Sequence, residues 1–337
     1  MAIVDVDIEL NSINNQQERS LWRKSFDRLL RNRVAVVSGI FIILMILVAV
    51  FAKYLTPFTF AEQDLMANNA IPEWMLFLMP EGAENYANFS TVYPLSADHL
   101  GRDLLTRTIF GARVSLTIAF AGSFVSLLIG VVYGMISGYA GGRVDSLMMR
   151  VVDFLWAFPF LIVVILLQTY FKAIASRSGG EGIGAAFINL NNQMGGLLFL
   201  FIAIGMINWL GMARIARGQV LAYKKMEFVE AAQALGANDT RIMFKHLLPN
   251  ILGPLIVAET MAIPGYIFTE AFLSFIGLGV NAPTPSWGMM IQEGVQALRS
   301  YPNQVLVPAI ALSLTTLAFN FLGDGLRDAF DPRQIDK

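Results

Sequence analysis

The sequence predicts an all-α membrane protein with six transmembrane helices, on three observations. The 337 residues are 55% hydrophobic and 15% charged, with a mean hydropathy of +0.58, against about 25% charged in soluble domains. Six apolar runs, at residues 34–55, 114–138, 151–173, 195–213, 251–277 and 305–322, each have the roughly 20 residues that a bilayer crossing needs. Lys and Arg collect on alternate connections: with the N-terminus inside, 17 of the 24 lie inside, so the positive-inside rule puts both termini in the cytoplasm.

The same counts exclude several classes of function. A net charge of −1 gives nucleic-acid binding no support. Without cysteine there is no disulfide framework, thiol nucleophile or Cys-based metal site. No GxxxxGK[ST] is present, and the Gly-rich stretch 179–184 has neither the lysine nor the flanking strand of a phosphate loop, so the chain carries no recognisable nucleotide site. HExxH and GxSxG are missing too, which leaves a membrane-embedded hydrolase without a catalytic set.

Taken in order, residues 1–33 are polar and end in a basic run (Arg19, Arg23, Lys24, Arg28, Arg31, Arg33). The first span, 34–55, reads as a retained anchor, because a secretory signal has a shorter apolar core and a small-residue cleavage site. An outer loop, 56–113, follows, with an aromatic and Pro-containing section that a soluble partner or a membrane-surface helix would each explain. Arg102, Arg107 and Arg113 at its end oppose the charge rule locally. Gly122, Ser126, Gly130, Gly134 and Gly138 in the second span recur every four residues; small residues at that spacing admit a close helix, in a crossing expected to be right-handed. Pro159 in the third span and Pro264-Gly265 in the fifth predict kinks or breaks. Residues 174–194 read as a flexible outer loop rich in Gly and Asn.

Between the fourth and fifth spans lies a charged island, 224–250. Glu230-Ala231-Ala232, Gly236 and His246-Leu247-Leu248-Pro249 read as two short helices broken at a glycine. Phe228, Ala231, Ala232 and Leu235 share one apolar face at i, i+3, i+4, i+7. Gly236 suits a left-handed C-cap, and Asn238 or Asp239 can cap the next helix. There Ile242, Met243, His246 and Leu247 form one stripe and Arg241 and Lys245 another. A bare EAAxxxG is an ordinary alanine-rich helix with a glycine cap; the LLPN ending and the flanking spans make it more. His246 reads as a helix-face or hydrogen-bonding histidine, since His99 is the only other.

This spacing resembles the EAA loop of permease subunits of ATP-binding-cassette (ABC) importers. Further stretches resemble the C-type permease subunit of oligopeptide and dipeptide importers: the segments 98–105 (DHLGRDLL), 111–116 (GARVSL), 138–145 (GYAGGRVD), 272–279 (FLSFIGLG), 286–288 (SWG) and 323–328 (GDGLRD). The likeness spans roughly residues 20–333. It departs at Leu95-Ser96-Ala97-Asp98, where the family commonly has Leu-Gly-Thr-Asp, and in both outer loops, which are longer than usual.

The resemblance implies an ABC importer type I permease (MetI-like) core at 114–322, an extra N-terminal helix and a cytoplasmic tail at 323–337, in a bacterial inner membrane. It implies as partners a second, different permease subunit, two cytoplasmic ATPase subunits, an external substrate-binding protein and a peptide substrate. It implies no enzyme activity or cofactor in this chain, ATP and Mg belonging to the ATPases. Glu230, Ala231, Ala232, Gly236, Arg241, His246 and Pro249 would couple to the ATPase. Glu259, Glu270, Asn208 and Asn320 are candidates for lining the pathway, since acidic groups within a span must face the bundle or a wet cavity. An ion-coupled transporter or channel using Glu259 and Glu270 is the rival reading, and the EAA hairpin, for which such a carrier has no use, argues against it.

Overall fold

The computed structural model describes residues 21–177 and 183–331. Arg19, Arg333, Lys337 and residues 179–182 of the Gly-rich stretch lie outside them. Among the described residues, five helices are long and apolar enough to cross a membrane, or six if one bent pair counts as a span.

Helix α1 (Leu21–Leu29) leads into α2 (Arg33–Val50), capped by the Asn32 side chain, which accepts from the Val34 and Ala35 N–H groups. A short α3 (Ala52–Leu55) follows. The second span, α4 (Leu104–Ala140), begins ten residues before the apolar run at 114. Asp103 starts it by accepting from the Thr106 N–H at 2.9 Å and its hydroxyl at 2.5 Å. Hydropathy misses these ten residues because Arg107 and Arg113 lie among them.

The third span is broken. Helices α5 (Gly142–Trp156) and α6 (Phe160–Arg177) meet at about 80° beside Pro159, which has no N–H for the Leu155 carbonyl. Where residues 174–194 are described they are mainly helical: α6 runs to Arg177 and α7 spans Ile183–Gln193, and the rest of the expected flexible loop, 178–182, lies outside the described residues. The Asn191 side chain is buried and accepts from the Phe199 N–H. Helix α8 (Leu197–Tyr223) extends ten residues past the apolar run ending at 213. After α9 (Glu227–Ala234), α10 (Asp239–Phe275) runs unbroken through Pro254 and Pro264, so of the kink or break expected at Pro264-Gly265 no break occurs. Ile263 and Pro264 are buried among neighbouring spans, which hold the helix across the missing bond. Helices α11 (Trp287–Val295) and α12 (Asn303–Phe330) complete the bundle.

Helix α4 packs on α8 along its small-residue stripe. A Cβ on Gly134 would sit 2.3 Å from the Ala213 carbonyl oxygen, and one on Gly130 2.7 Å from that of Trp209. A spacing of four drifts about 40° per step around an α-helix. A π-helical turn at Ser126–Gly130 absorbs part of that drift. Helix α2 lies on the outside of the bundle against α12 and α4.

Residues 56–103 form a folded cap instead of a membrane-surface helix. Short 3-10 turns enclose a small core of Ala67, Ala70, Tyr93 and Ala97. The Tyr93 hydroxyl faces Asp64, and burial together with that carboxylate raises its pKa. The cap is tied to the α11–α12 corner by Gln304 donating to Asn69 at 2.7 Å and by the Tyr86 ring edge-on to Tyr301.

The arginines that oppose the charge rule are held here. Arg102 donates to Asp98 at 2.6 Å and to Glu293 of α11 at 2.9 Å, while Arg107 meets Glu293 at 2.7 Å and Asp98 at 3.4 Å. Both arginines are buried, so two of the three enter the fold as part of a neutral four-charge cluster rather than as loop charge. Arg113 is exposed.

Candidate functional site

The charged island folds against the opposite end of the bundle from the cap. Helix α9 closes with a left-handed Gly236 at φ 79°. Around it the Gly236 N–H donates to the Gln233 carbonyl and the Ala237 N–H to the Ala232 carbonyl, which is the Schellman pattern. Asn238 then caps α10, its side chain accepting from the Arg241 N–H at 2.8 Å. The second half of the island is not a separate short helix. It is the start of α10, with a π-helical turn at Ile242–Leu247.

The apolar face expected on α9 is split between two sides. Val229 and Ala232 turn inward, into a core with Val220, Ile242 and Leu247. Glu230 and Ala231 are exposed, and Leu235 is 89% exposed. Ala232 therefore packs within the chain, and the outward surface carries Ala231, Leu235 and half-exposed Phe244, beside exposed Arg241 and Pro249. Helical periodicity groups Ala231 with Ala232, but cannot say which edge of that face the chain's own bundle covers. His246 is half-buried on the π turn, its carbonyl accepting from Asn250.

Polar contacts fix the hairpin's seat. Arg217 of α8 binds Asp145 of α5 through two nitrogens at 2.5 and 2.6 Å. Ser137 of α4 donates to the same carboxylate. Lys224 caps α4 by donating to the Gly138 carbonyl at 2.8 Å, and the Tyr139 hydroxyl donates to Asp239. Residues 138–145, singled out in the sequence, thus tie α4 and α5 to the hairpin. Sequence reasoning left Asp145, Arg217 and Lys224 out of the candidate site. Asp145 and Arg217 lie 72 positions apart, and no local spacing joins them.

The pathway candidates separate as clearly. Glu259 and Asn208 line one cavity of about 580 Å³, with Ser126, Tyr266 and the broken span around Trp156 to Pro159. Glu259 accepts from the Tyr266 hydroxyl at 2.9 Å and from Ser126 at 3.1 Å. Glu270 is fully buried elsewhere, accepting from Ser115 at 2.6 Å and Ser274 at 2.7 Å, and does not line the cavity. Asn320 is exposed on α12 and does not line it either.

Residues 130–336 match the family model described as the binding-protein-dependent transport system inner membrane component, and residues 20–72 match the N-terminal transmembrane domain of oligopeptide transport permease C. The oligopeptide transport system permease protein OppC of Haemophilus influenzae is 42% identical, over 94% of this chain and 89% of that protein. The dipeptide transport system permease protein DppC of Bacillus subtilis is 39% identical, over 96% of this chain and 92% of that one. A chain of the inward-facing MetNI methionine ABC transporter matches 67% of this chain and 97% of its own length with a TM-score of 0.50 at 19% identity, a likeness of fold.

Proposed function

We propose a division of labour for this chain from the premise that it belongs to the binding-protein-dependent transport system inner membrane component family. It is a multi-pass inner-membrane permease subunit of an ABC importer of the oligopeptide and dipeptide kind. It forms half of a translocation pathway, opposite a second, different permease subunit. The hairpin docks on one of two cytoplasmic ATPase subunits, which hydrolyse ATP, and a substrate-binding protein delivers peptide at the cap end.

The observation that carries the coupling role is the continuity of α10. Its first turns belong to the hairpin and its middle carries Glu259. Phe244 and Glu259 are 15 residues apart, about 23 Å at 1.5 Å per residue, on one helix that Pro254 does not interrupt. Movement of the docked hairpin is therefore carried to the cavity by a rigid element. The exposed Leu235 and Phe244 side chains give the ATPase an apolar surface to hold, and the Gly236 turn sets the angle between α9 and α10.

An ion-coupled carrier finds less support. Among the described residues Glu270 is fully buried and does not line the cavity that Glu259 faces, which leaves Glu259 without a second acidic group there for a relay. The test is peptide uptake into proteoliposomes holding both permeases, with the ATPases and the binding protein supplied. Uptake should require ATP and both ATPases. Uptake driven by an ion gradient in their absence would overturn the reading.

A further inference from the structure

We infer that the cavity beside Glu259 binds a primary ammonium group of the peptide in transit, with the Glu259 carboxylate as its counter-ion. The inference rests on the permease reading above and goes beyond it by naming the part of the substrate that this chain recognises.

Four spans converge on the cavity, and the one carboxylate among its described lining residues is that of Glu259. Helix α10 supplies the Glu259 carboxylate and the Tyr266 hydroxyl, α4 supplies Ser126, and α8 supplies Asn208. Among the described residues, no Lys or Arg lines it. The Arg214 guanidinium stacks 4.5 Å over Trp156 and is already paired with Asp153 at 2.7 Å. The broken span adds the C-terminal end of α5, where the Leu155 carbonyl loses its helical donor to Pro159. Such an end carries partial negative charge.

The carboxylate also has acceptor capacity left. Tyr266 and Ser126 each donate to one of its oxygens and Ser123 is a third hydroxyl partner; two oxygens offer about four acceptor sites, so about one remains. An ammonium group has three donors; Glu259 and the Leu155 end can share them, and Phe158 and Tyr266 are aromatic residues in the lining. Local backbone departures support the same point. Ser126 opens the π-helical turn of α4, and the broken span meets the cavity at its break. Irregular backbone inside a bundle is tolerated where it lines a cavity, and π turns recur at functional positions. A cavity of about 580 Å³ holds a few residues of extended peptide, so the ammonium would be gripped as the chain passes.

The source of the ammonium is the peptide N-terminus or a lysine side chain, and three substrates separate the two: tetra-alanine, its N-acetyl form, and an N-acetyl tetrapeptide containing one lysine. The reconstituted importer is supplied with binding protein saturated by each peptide in turn, and initial uptake is measured for the wild type, Glu259→Gln and Glu259→Asp. Glu259→Gln should lower uptake of free tetra-alanine about tenfold or more, the weight of a charge-assisted hydrogen bond, and leave the N-acetyl form unchanged. Glu259→Asp keeps the charge and should keep the preference for the free amine. A parallel loss with the lysine peptide assigns the site to any primary ammonium; no loss assigns it to the N-terminus alone. An equal loss on acetylated and free tetra-alanine in Glu259→Gln, or loss of the preference in Glu259→Asp, overturns the inference. Lack of ATP-dependent uptake of every peptide by the wild type would instead overturn the permease reading on which it rests.

Discussion

Leu235 distinguishes a docking surface from a folding core. Its side chain is 89% exposed while Ala232, three positions earlier, is 7% exposed and packed against α8 and α10. Truncating an exposed side chain changes stability by no more than about 0.5 kcal/mol. Burying a whole leucine is worth about 1.5–3 kcal/mol. Leu235→Ala keeps one of the four side-chain carbons, so the loss on docking is about 1–2 kcal/mol, or roughly 5- to 30-fold in affinity. Ala232→Trp should behave in the opposite way, since overpacking a filled site costs about 1–3 kcal/mol in the subunit itself. The assay titrates the purified ATPase onto the permease pair in detergent, alongside thermal unfolding of the permease alone. Leu235→Ala should weaken ATPase binding and ATP-dependent uptake with an unchanged unfolding midpoint; Ala232→Trp should lower the midpoint. Leu235→Ala binding the ATPase as tightly as the wild type would refute the docking argument.

Three further outcomes are expected. Ser96 stands in the cap at φ 91° and fully buried, a conformation that costs a non-glycine residue about 1–2 kcal/mol; Ser96→Gly should therefore raise the unfolding midpoint, and a lower midpoint would show that the hydroxyl's bond to the Ala97 carbonyl matters more. Glu293→Ala strips one of the two anions from buried Arg102 and Arg107, which typically costs about 3–5 kcal/mol. It should expose the aromatic residues of 56–103 to chymotrypsin, and an unchanged digestion pattern would show that the cluster does not hold the cap. The chain has no cysteine, so Thr240→Cys and Asn85→Cys, both at exposed positions, report sidedness directly: an impermeant maleimide should label Asn85→Cys from the periplasmic side and Thr240→Cys only after the membrane is opened. Labelling of Thr240→Cys from outside would remove the hairpin from reach of a cytoplasmic ATPase.

The sequence was most legible where one residue type has a single physical use. Gly236 as a left-handed cap, Asn238 as an N-cap and the Gly130–Gly134–Gly138 seam follow from the want of a Cβ or from a short side-chain acceptor, and all three stand in the structure. Legibility failed where two uses compete. Pro159 and Pro264 carry the same local penalty, yet one breaks its span and the other lies inside a continuous helix, because the cost is decided by what packs around the freed carbonyl. Glu259 and Glu270 look alike in sequence, and only the tertiary neighbours separate a carboxylate facing a cavity from one enclosed by serines.

The arginines at the start of α4 show the same limit for charge. A topology rule counts Lys and Arg as free charges resisting translocation, and on that count Arg102, Arg107 and Arg113 argue against the orientation that the remaining basic residues favour. Arg102 and Arg107 are instead buried against Asp98 and Glu293, the latter 191 positions from Arg102. Their charge is cancelled by a partner that no local count can supply. Only Arg113 remains as an exposed exception. The apparent conflict thus reduces to one residue, and the two that vanish from it hold the cap on the bundle. The ion-pair cluster explains why the local charge count ran against the global one, while exposed Arg113 keeps the hydropathy boundary of the second span ten residues late.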